Sequence, residues 1–472
     1  MKLSLLQGKI TNPDQRESLI SDCEFSNIST DTRNLQKGDL FVALRGDNFD
    51  GHQFIEQAIL AGACAIVTDQ KVEHCSVPQL LVDDTTIALG LIAGLIRAHF
   101  NGVLVAITGS CGKTSVKGLL RNILELSGST LATQGNYNNH IGVPLTLNGL
   151  LPSHDYAVIE IGASGVGEIA TLAQIAQPDI ALVNNVRAAH VGGFGSIETI
   201  ASEKGKIYDA LNNNNGRHKI AIINCDDAYA PQYMAQTQGL KKIGFSTRSP
   251  QPNMPIPVIY ATDIQCNGQG ACQFTMHFGG QQQAVSLNVL GAHFVANALA
   301  AAACALAAGI DLNTISHGLS CYRGEKGRME LIAPLYPTQK ATLINDAYNA
   351  NPASVRAAID FLVSQKNHST NAEHKAILVL GNMGELGCGE TVEHTSMGLY
   401  AFEQGITHVV AIGNLAALAA ESFNSTHIFE NLGSAAQWLS QYLSHDATIL
   451  LKGSRTAGID QLIPLLLEYC KE

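Results

Sequence analysis

The stretch that most constrains this chain runs from Val103 to Ser115. Val103-Leu104-Val105-Ala106-Ile107-Thr108 is an apolar, β-branched run that reads as a buried strand, and it stops at Gly109-Ser110-Cys111-Gly112. Beyond Lys113-Thr114-Ser115, apolar residues recur at Val116, Leu119, Leu120, Ile123 and Leu124, which is helical spacing. A strand, a glycine loop, Lys-Thr and a helix in that order form a phosphate cradle. The glycines let backbone N–H groups approach an anion, and the helix start adds a favourable dipole. Lys113 offers a point charge to β- and γ-phosphates, and the Thr114 hydroxyl can ligate magnesium. The usual pattern has a further glycine five residues before Gly112, where this chain has Ile107, so the loop is a shortened variant. Residues 108–115 are therefore expected to bind a nucleoside triphosphate, with Thr108, Gly109, Ser110, Cys111, Gly112, Lys113, Thr114 and Ser115 forming the site.

At 472 residues the chain has room for three domains of roughly 150 residues each. A net charge of −11 leaves no basic stripe to neutralise a phosphate backbone, so no nucleic-acid role is expected. Acidic substrates must be met by local Lys and Arg. Met1 to Gly8 lacks the apolar core of a signal peptide. Ala298–Ile310 is too short to span a bilayer and reads as a tightly packed internal helix, so no transmembrane segment is expected. Eleven cysteines without a Cys-x-x-Cys pair suggest neither a disulfide framework nor zinc, and most read as small core fillers in a reducing, cytoplasmic setting.

In chain order, residues 1–98 read as a small α/β domain, with strands over 39–44 and 63–68 and a helix from Gln53 to Ala61. The polar segments Ile28–Arg33 and Leu44–His52 lie at probable strand ends, where α/β sheets bind ligands. The central domain is placed at 99–322. After the phosphate loop comes a polar loop, Thr133–Pro144, in which the amides of Asn136, Asn138 and Asn139 could grip a polar ligand. Glu160 closes an apolar strand, a costly position unless the carboxylate is paired or holds metal. Strand Asp179–Asn185 leads to a loop carrying His190, a candidate magnesium or phosphate contact. Lys204, on a helix from Ser196 to Leu211, reads by itself as solvated. Alternation between Val258 and Leu290 predicts antiparallel hairpins. Tyr322–Arg328 is a linker, and 323–472 returns to α/β alternation with strands at 342–345, 376–380, 408–412 and 448–451. No Gly-x-Gly-x-x-Gly is present, which disfavours a dinucleotide site.

Thr108–Thr114, followed by Gly135-Asn136-Tyr137-Asn138-Asn139 and Ile141-Gly142-Val143-Pro144, resembles the Mur ligase family over nearly the whole chain. Ser29-Thr30-Asp31-Thr32-Arg33, Phe49-Asp50-Gly51-His52, Tyr348-Asn349-Ala350-Asn351-Pro352 and Lys452-Gly453-Ser454-Arg455 resemble the branch that couples D-alanyl-D-alanine to UDP-N-acetylmuramoyl-tripeptide. The resemblance implies three domains: a substrate-binding one, a central P-loop ATPase-type parallel sheet with antiparallel additions, and a C-terminal Rossmann-like doubly wound sheet. It implies ATP and Mg2+, with Thr114, Glu160 and His190 holding the metal, joined by Lys204 if carbamoylated. Lys113, Glu160, His190 and Lys204 form the implied catalytic set. Asn297, Arg328 and Asp346 match nucleotide contacts. Ser29, Thr30, Arg45, Asn138 and Asn139 match contacts to the UDP-muramyl peptide, and Asn349, Asn351 and Arg455 to the dipeptide side. The chain departs from the family pattern at Ser164-Gly165, Phe294 and Asn382.

The implied reaction is amide formation through an acyl phosphate, releasing ADP and phosphate, by a monomer whose domains close over three substrates. A sister ligase adding a single amino acid, and a folylpolyglutamate synthase, are the enzymatic alternatives. A nucleotide-dependent regulatory module without ligation is the non-enzymatic one. Cys111, at a helix N-terminus beside Lys113, is in a setting that favours a thiolate, so alkylation sensitive to Mg-ATP is expected.

Overall fold

The computed structural model describes residues 1–10, 22–46, 49–188, 191–212, 219–336 and 338–469. Three main sheets follow one another along the chain, their central strands continuous apolar runs covered on both faces. The first is parallel, in the order Ile28–Ser29, Leu40–Val42, Ala65–Thr68, Gln79–Leu81. Between its second and third strands the chain makes a 3-10 turn, Gly51–Phe54, and then the helix Ile55–Leu60, so the expected helix begins two residues late.

Asp84 caps the next helix, Thr85–His99, by accepting the N–H groups of Thr86 and Ile87. That helix joins the first sheet to the second, because its Arg97 is 1% exposed and meets Asp179 at 2.9 Å. The same Asp179 accepts the N–H of Leu104 at 2.9 Å, so one buried ion pair sets the helix against the start of the strand that feeds the phosphate loop. Removing Asp179 would leave Arg97 a buried charge without this carboxylate, at a cost of about 3–5 kcal/mol, whereas removing Arg97 would leave Asp179 with Lys219 Nζ at 3.3 Å.

The central sheet has nine strands. Thr130–Ala132, Tyr156–Glu160, Val103–Thr108, Ile180–Val183, Ile220–Asn224, Lys241–Ser246 and Val258–Cys266 run parallel, in that spatial order. Ala271–Phe278 and Gln281–Leu290 extend it as antiparallel hairpins, as the alternation predicts. The hairpin turn puts Cys266 opposite Cys272, and the two form a disulfide. This corrects the expectation of no disulfide: spacing in sequence says nothing of a cross-strand register. Most described cysteines do fill core, as expected: Cys272 and Cys304 are buried in the central cluster, and Cys23, Cys64, Cys75 and Cys266 pack against core clusters. Cys321 and Cys388 are exposed. The alanine-rich segment is the helix His293–Ala307, whose small side chains let it pack closely on the Lys113–Leu124 helix.

The third sheet runs Glu330–Ile332, Thr342–Asp346, Ala447–Lys452, Lys375–Gly381, His408–Ile412, Ile428–Phe429, with only the first strand antiparallel. Asp346 and Lys452 end adjacent strands in register, which puts both at the same sheet edge. Among the described residues no helix is long and apolar enough to cross a membrane.

Candidate active site

The phosphate loop takes a shape that only glycine permits at two points. Gly109 has φ +151° and Gly112 φ +77°. A Cβ on Gly112 would lie 2.5 Å from Asn297 Oδ1 and 2.7 Å from Asn184 Nδ2. The loop is held from the neighbouring strand end. Asn184 Nδ2 and Asn185 Nδ2 donate to the Cys111 carbonyl at 2.9 and 3.1 Å, and Asn185 Oδ1 accepts the Cys111 N–H at 2.9 Å. Lys113 Nζ donates to the Gly109 carbonyl at 2.8 Å. Burial lowers its pKa, while Glu160 opposes that shift. The Thr114 hydroxyl accepts a hydrogen bond from Arg328 Nη2 at 2.7 Å, which ties the loop to the segment leading into the third sheet.

Glu160 ends the strand beside the loop and is 2% exposed. Its N–H donates to Thr133 Oγ1 at 2.9 Å, and its Oε1 accepts from Asn138 Nδ2 at 2.8 Å. Its Oε2 is buried with no hydrogen-bond partner. A buried carboxylate oxygen with no hydrogen bond, beside a phosphate loop and 3.6 Å from the Lys117 ammonium, fits a hard cation, and magnesium needs only one or two carboxylates besides substrate phosphate oxygens. Among the described residues no group of three His, Cys, Asp or Glu gathers. His190 lies outside the described residues.

Lys204 is not solvated. On the helix Ile197–Asp209 it is 2% exposed, with no ion-pair partner among the described residues. Its Nζ lies 5.8 Å from the centre of the Phe194 ring. Burial, reinforced by the Lys113 charge, pulls its pKa down to about 7. Helical periodicity put Lys204 on a surface, and tertiary packing covers that surface.

The third sheet supplies the opposite wall. Asp346 Oδ2 meets Lys452 Nζ at 2.6 Å, and Asp346 Oδ1 accepts the Met329 N–H at 3.1 Å. Tyr348 has the Arg328 guanidinium over its ring at 4.2 Å and that of Arg455 at 5.9 Å. Asn351 caps the Pro352–His368 helix, and its Nδ2 lies 3.3 Å from Cys111 Sγ across the cleft. Gly192 donates its N–H to the Glu385 carbonyl at 3.4 Å, a second bridge between the central and C-terminal parts.

Together these walls enclose a cavity of about 720 Å³. Of the expected nucleotide residues, Ser110–Ser115, Asn297, Arg328 and Asp346 line it. So do Glu160, Asn138, Asn349, Asn351 and Arg455. Thr108, Gly109 and Lys204 do not line it. Asn139 is spent locally, accepting the Gly142 N–H at 2.9 Å at the start of the helix Gly142–Asn148. Ser29, Thr30 and Arg45 stay in the N-terminal part: Ser29 ends the first strand and bonds to the Asp31 carbonyl, Thr30 follows it, and Arg45, in the small two-stranded sheet Arg45–Gly46/Phe49–Asp50, lies 3.6 Å from Asp50 and 3.4 Å from Asp69. Of the departures, Phe294 is core and Asn382 accepts the Ala416 N–H, while Ser164 lines the cavity.

Several lining residues escaped the sequence reading. Asn184, Asn185, Asn224 and Asp226 follow parallel strands, so position at a strand C-terminus was the signal that could have found them. Lys452 stands in the Lys452–Arg455 motif, but neither it nor Lys117, which does not line the cavity, shows its partner in sequence, because that partner lies far along the chain.

The comparisons with known proteins agree with this geometry. Residues 24–96 match the Mur ligase family catalytic domain, 107–305 the Mur ligase middle domain, and 327–455 the glutamate ligase domain of Mur ligases. The UDP-N-acetylmuramoyl-tripeptide–D-alanyl-D-alanine ligase of Escherichia coli strain K12 is 36% identical over 99% of each chain. Its counterpart in Bacillus subtilis strain 168 is 32% identical over 98% of this chain and 97% of its own. The crystal structure of MurF from Acinetobacter baumannii superposes with a TM-score of 0.84 at 32% identity, over 95% of this chain and 94% of that one.

Proposed function

Because the chain belongs to the Mur ligase family of ATP-dependent amide ligases, we propose that its 720 Å³ cavity is where D-alanyl-D-alanine is joined to UDP-N-acetylmuramoyl-tripeptide, a step of peptidoglycan precursor synthesis. The observation that carries this reading is the phosphate loop facing, across one cavity, the strand ends of the C-terminal sheet. A triphosphate and an acceptor can thus meet at one point. We take residues 1–98, 99–322 and 323–472 as the substrate, nucleotide and ligase domains.

Hydroxide is a poor leaving group, so the tripeptide carboxylate must be activated. Its oxygen attacks the γ-phosphorus of ATP, the bond to the β-phosphate oxygen breaks, and an acyl phosphate and ADP result. The dipeptide amine then attacks the acyl carbon, phosphate leaves, and the amine gives up a proton. Lys113 and the backbone N–H groups of Ser110–Ser115 offset charge on the transferred phosphoryl group. Arg328, anchored on Thr114 and stacked on Tyr348, carries positive charge to the same place from the linker before the third sheet. Thr114 and Glu160 are the groups that would hold magnesium, which when bound adds Lewis-acid stabilisation of phosphate charge. Asn138 holds Glu160 in orientation. With its pKa near 7, much of Lys204 is a neutral amine at physiological pH. That is the form that adds to CO2 to give a carbamate and a proton, as the family resemblance implies. The contacts between Gly192 and Glu385 and between Cys111 and Asn351 keep water from the acyl phosphate when the walls are together.

The test is phosphate release with UDP-muramyl tripeptides ending in lysine or diaminopimelate, each offered D-alanyl-D-alanine or a single amino acid. Release that needs ATP, one of the tripeptides and the dipeptide is expected. Release driven by a single amino acid on a shorter UDP-muramyl peptide would assign the chain to a sister ligase instead.

A further inference from the structure

Lys117 lies one helical turn beyond Lys113 on the Lys113–Leu124 helix, and the two lysines point to different places. Lys113 opens onto the cavity. Lys117 is 5% exposed and does not line it. Its Nζ donates to the Gly135 carbonyl at 3.3 Å and stands 3.6 Å from Glu160 Oε2.

That ammonium does not orient the carboxylate. Glu160 is already fixed by its strand, by the Thr133 hydroxyl on its N–H and by Asn138 on Oε1. A separation of 3.6 Å is too long for a hydrogen bond, and Oε2 has none. What Lys117 contributes to Oε2 is charge. In a site shielded from water, a fixed unit charge this close balances the carboxylate when no other cation is present. It also repels any cation that approaches the same oxygen. A nucleoside triphosphate in the phosphate loop adds several negative charges beside Oε2 and tips the balance toward a divalent ion.

We propose that Lys117 is an electrostatic gate on Glu160, keeping a hard divalent cation off Oε2 until a polyanionic nucleotide occupies the phosphate loop, so that metal and nucleotide load together. The inference rests on the reading of Glu160 as a metal-holding residue given above. Lys117 is a positioning residue for charge, since it reaches no reacting atom.

The probe is Mn2+, titrated into the full-length enzyme by electron paramagnetic resonance and calorimetry, first without nucleotide and then as its ADP complex. Lys117→Met removes the charge. Lys117→Gln removes the charge but keeps a donor for Gly135, so a loop defect is separated from an electrostatic one. Both neutral variants are expected to bind Mn2+ about tenfold or more tightly than wild type without nucleotide. Lys117→Arg should match wild type, and the differences should shrink with ADP present. Neutral variants that bind nucleotide-free Mn2+ no more tightly than wild type would overturn the gate, and a purely packing role predicts that result with a lowered Tm. Glu160→Gln in the Mn-ADP titration separates the two readings. If it binds as well as wild type, the assignment of metal to Glu160 fails, and the gate with it.

Discussion

Lys204 should make the protein less stable than a variant that cannot work. Its ammonium is buried without a carboxylate partner among the described residues, and its pKa falls from 10.5 to about 7. At 1.36 kcal/mol per unit this shift corresponds to about 5 kcal/mol. Local relaxation lowers what is recovered, and replacing buried charge with apolar volume typically returns about 1–4 kcal/mol. For Lys204→Met, of similar length, we expect a gain of about 3 kcal/mol, or ~6–12 °C in the Tm of a domain this size. The pH dependence identifies the cause. Below pH 7 the lysine is charged both folded and unfolded, so its burial penalty is full. Between pH 7 and 10.5 the unfolded chain holds the proton and the native one does not, so wild-type stability rises and the penalty fades. The advantage of Lys204→Met should therefore be largest at pH 6.5 and about 2–3 kcal/mol smaller at pH 9. Scanning calorimetry in metal-free, bicarbonate-free buffer measures this, with ligation assayed in parallel and expected to be lost. A Met variant less stable than wild type at pH 6.5, or an advantage that does not change with pH, would refute the reasoning.

Lys113→Ala should keep its circular dichroism spectrum and Tm near wild type while ligation falls by about a hundredfold or more, as phosphoryl charge loses its cation; near-normal turnover would remove Lys113 from the mechanism. Gly387 has φ +61°, and a Cβ there would sit 2.8 Å from Gly192 Cα across the cleft. Gly387→Ala should lower kcat/KM about tenfold with a Tm change of a few degrees, from about 1–2 kcal/mol of left-handed strain; unchanged kinetics would mean that this contact has no part in closure. Alkylation of Cys111 should inactivate the enzyme and be slowed by Mg-ATP, because the thiol sits in the phosphate loop against Asn351; equal labelling with and without nucleotide would contradict that.

What the sequence determined by itself was whatever depends on near neighbours. The strand into Gly109, the glycine turn and the helix after Lys113 follow from apolar spacing and from φ values open only to glycine. The hairpins of 258–290 were legible because alternation marks a sheet with one wet face. Sheet order, by contrast, is a matter of distant pairing, and so are the contacts that join the loop to the rest of the site. Asn184 holds Cys111, Lys117 faces Glu160, Lys452 neutralises Asp346, and Asn351 reaches Cys111 from the far wall. Lys204 and the Cys266–Cys272 pair make the same point from the other side. One looked like a surface lysine and the other like two unrelated thiols until packing and register placed them. Side-chain periodicity says which face of an element is apolar. Only the assembled layers decide what covers that face, and so which charges are buried and how they titrate.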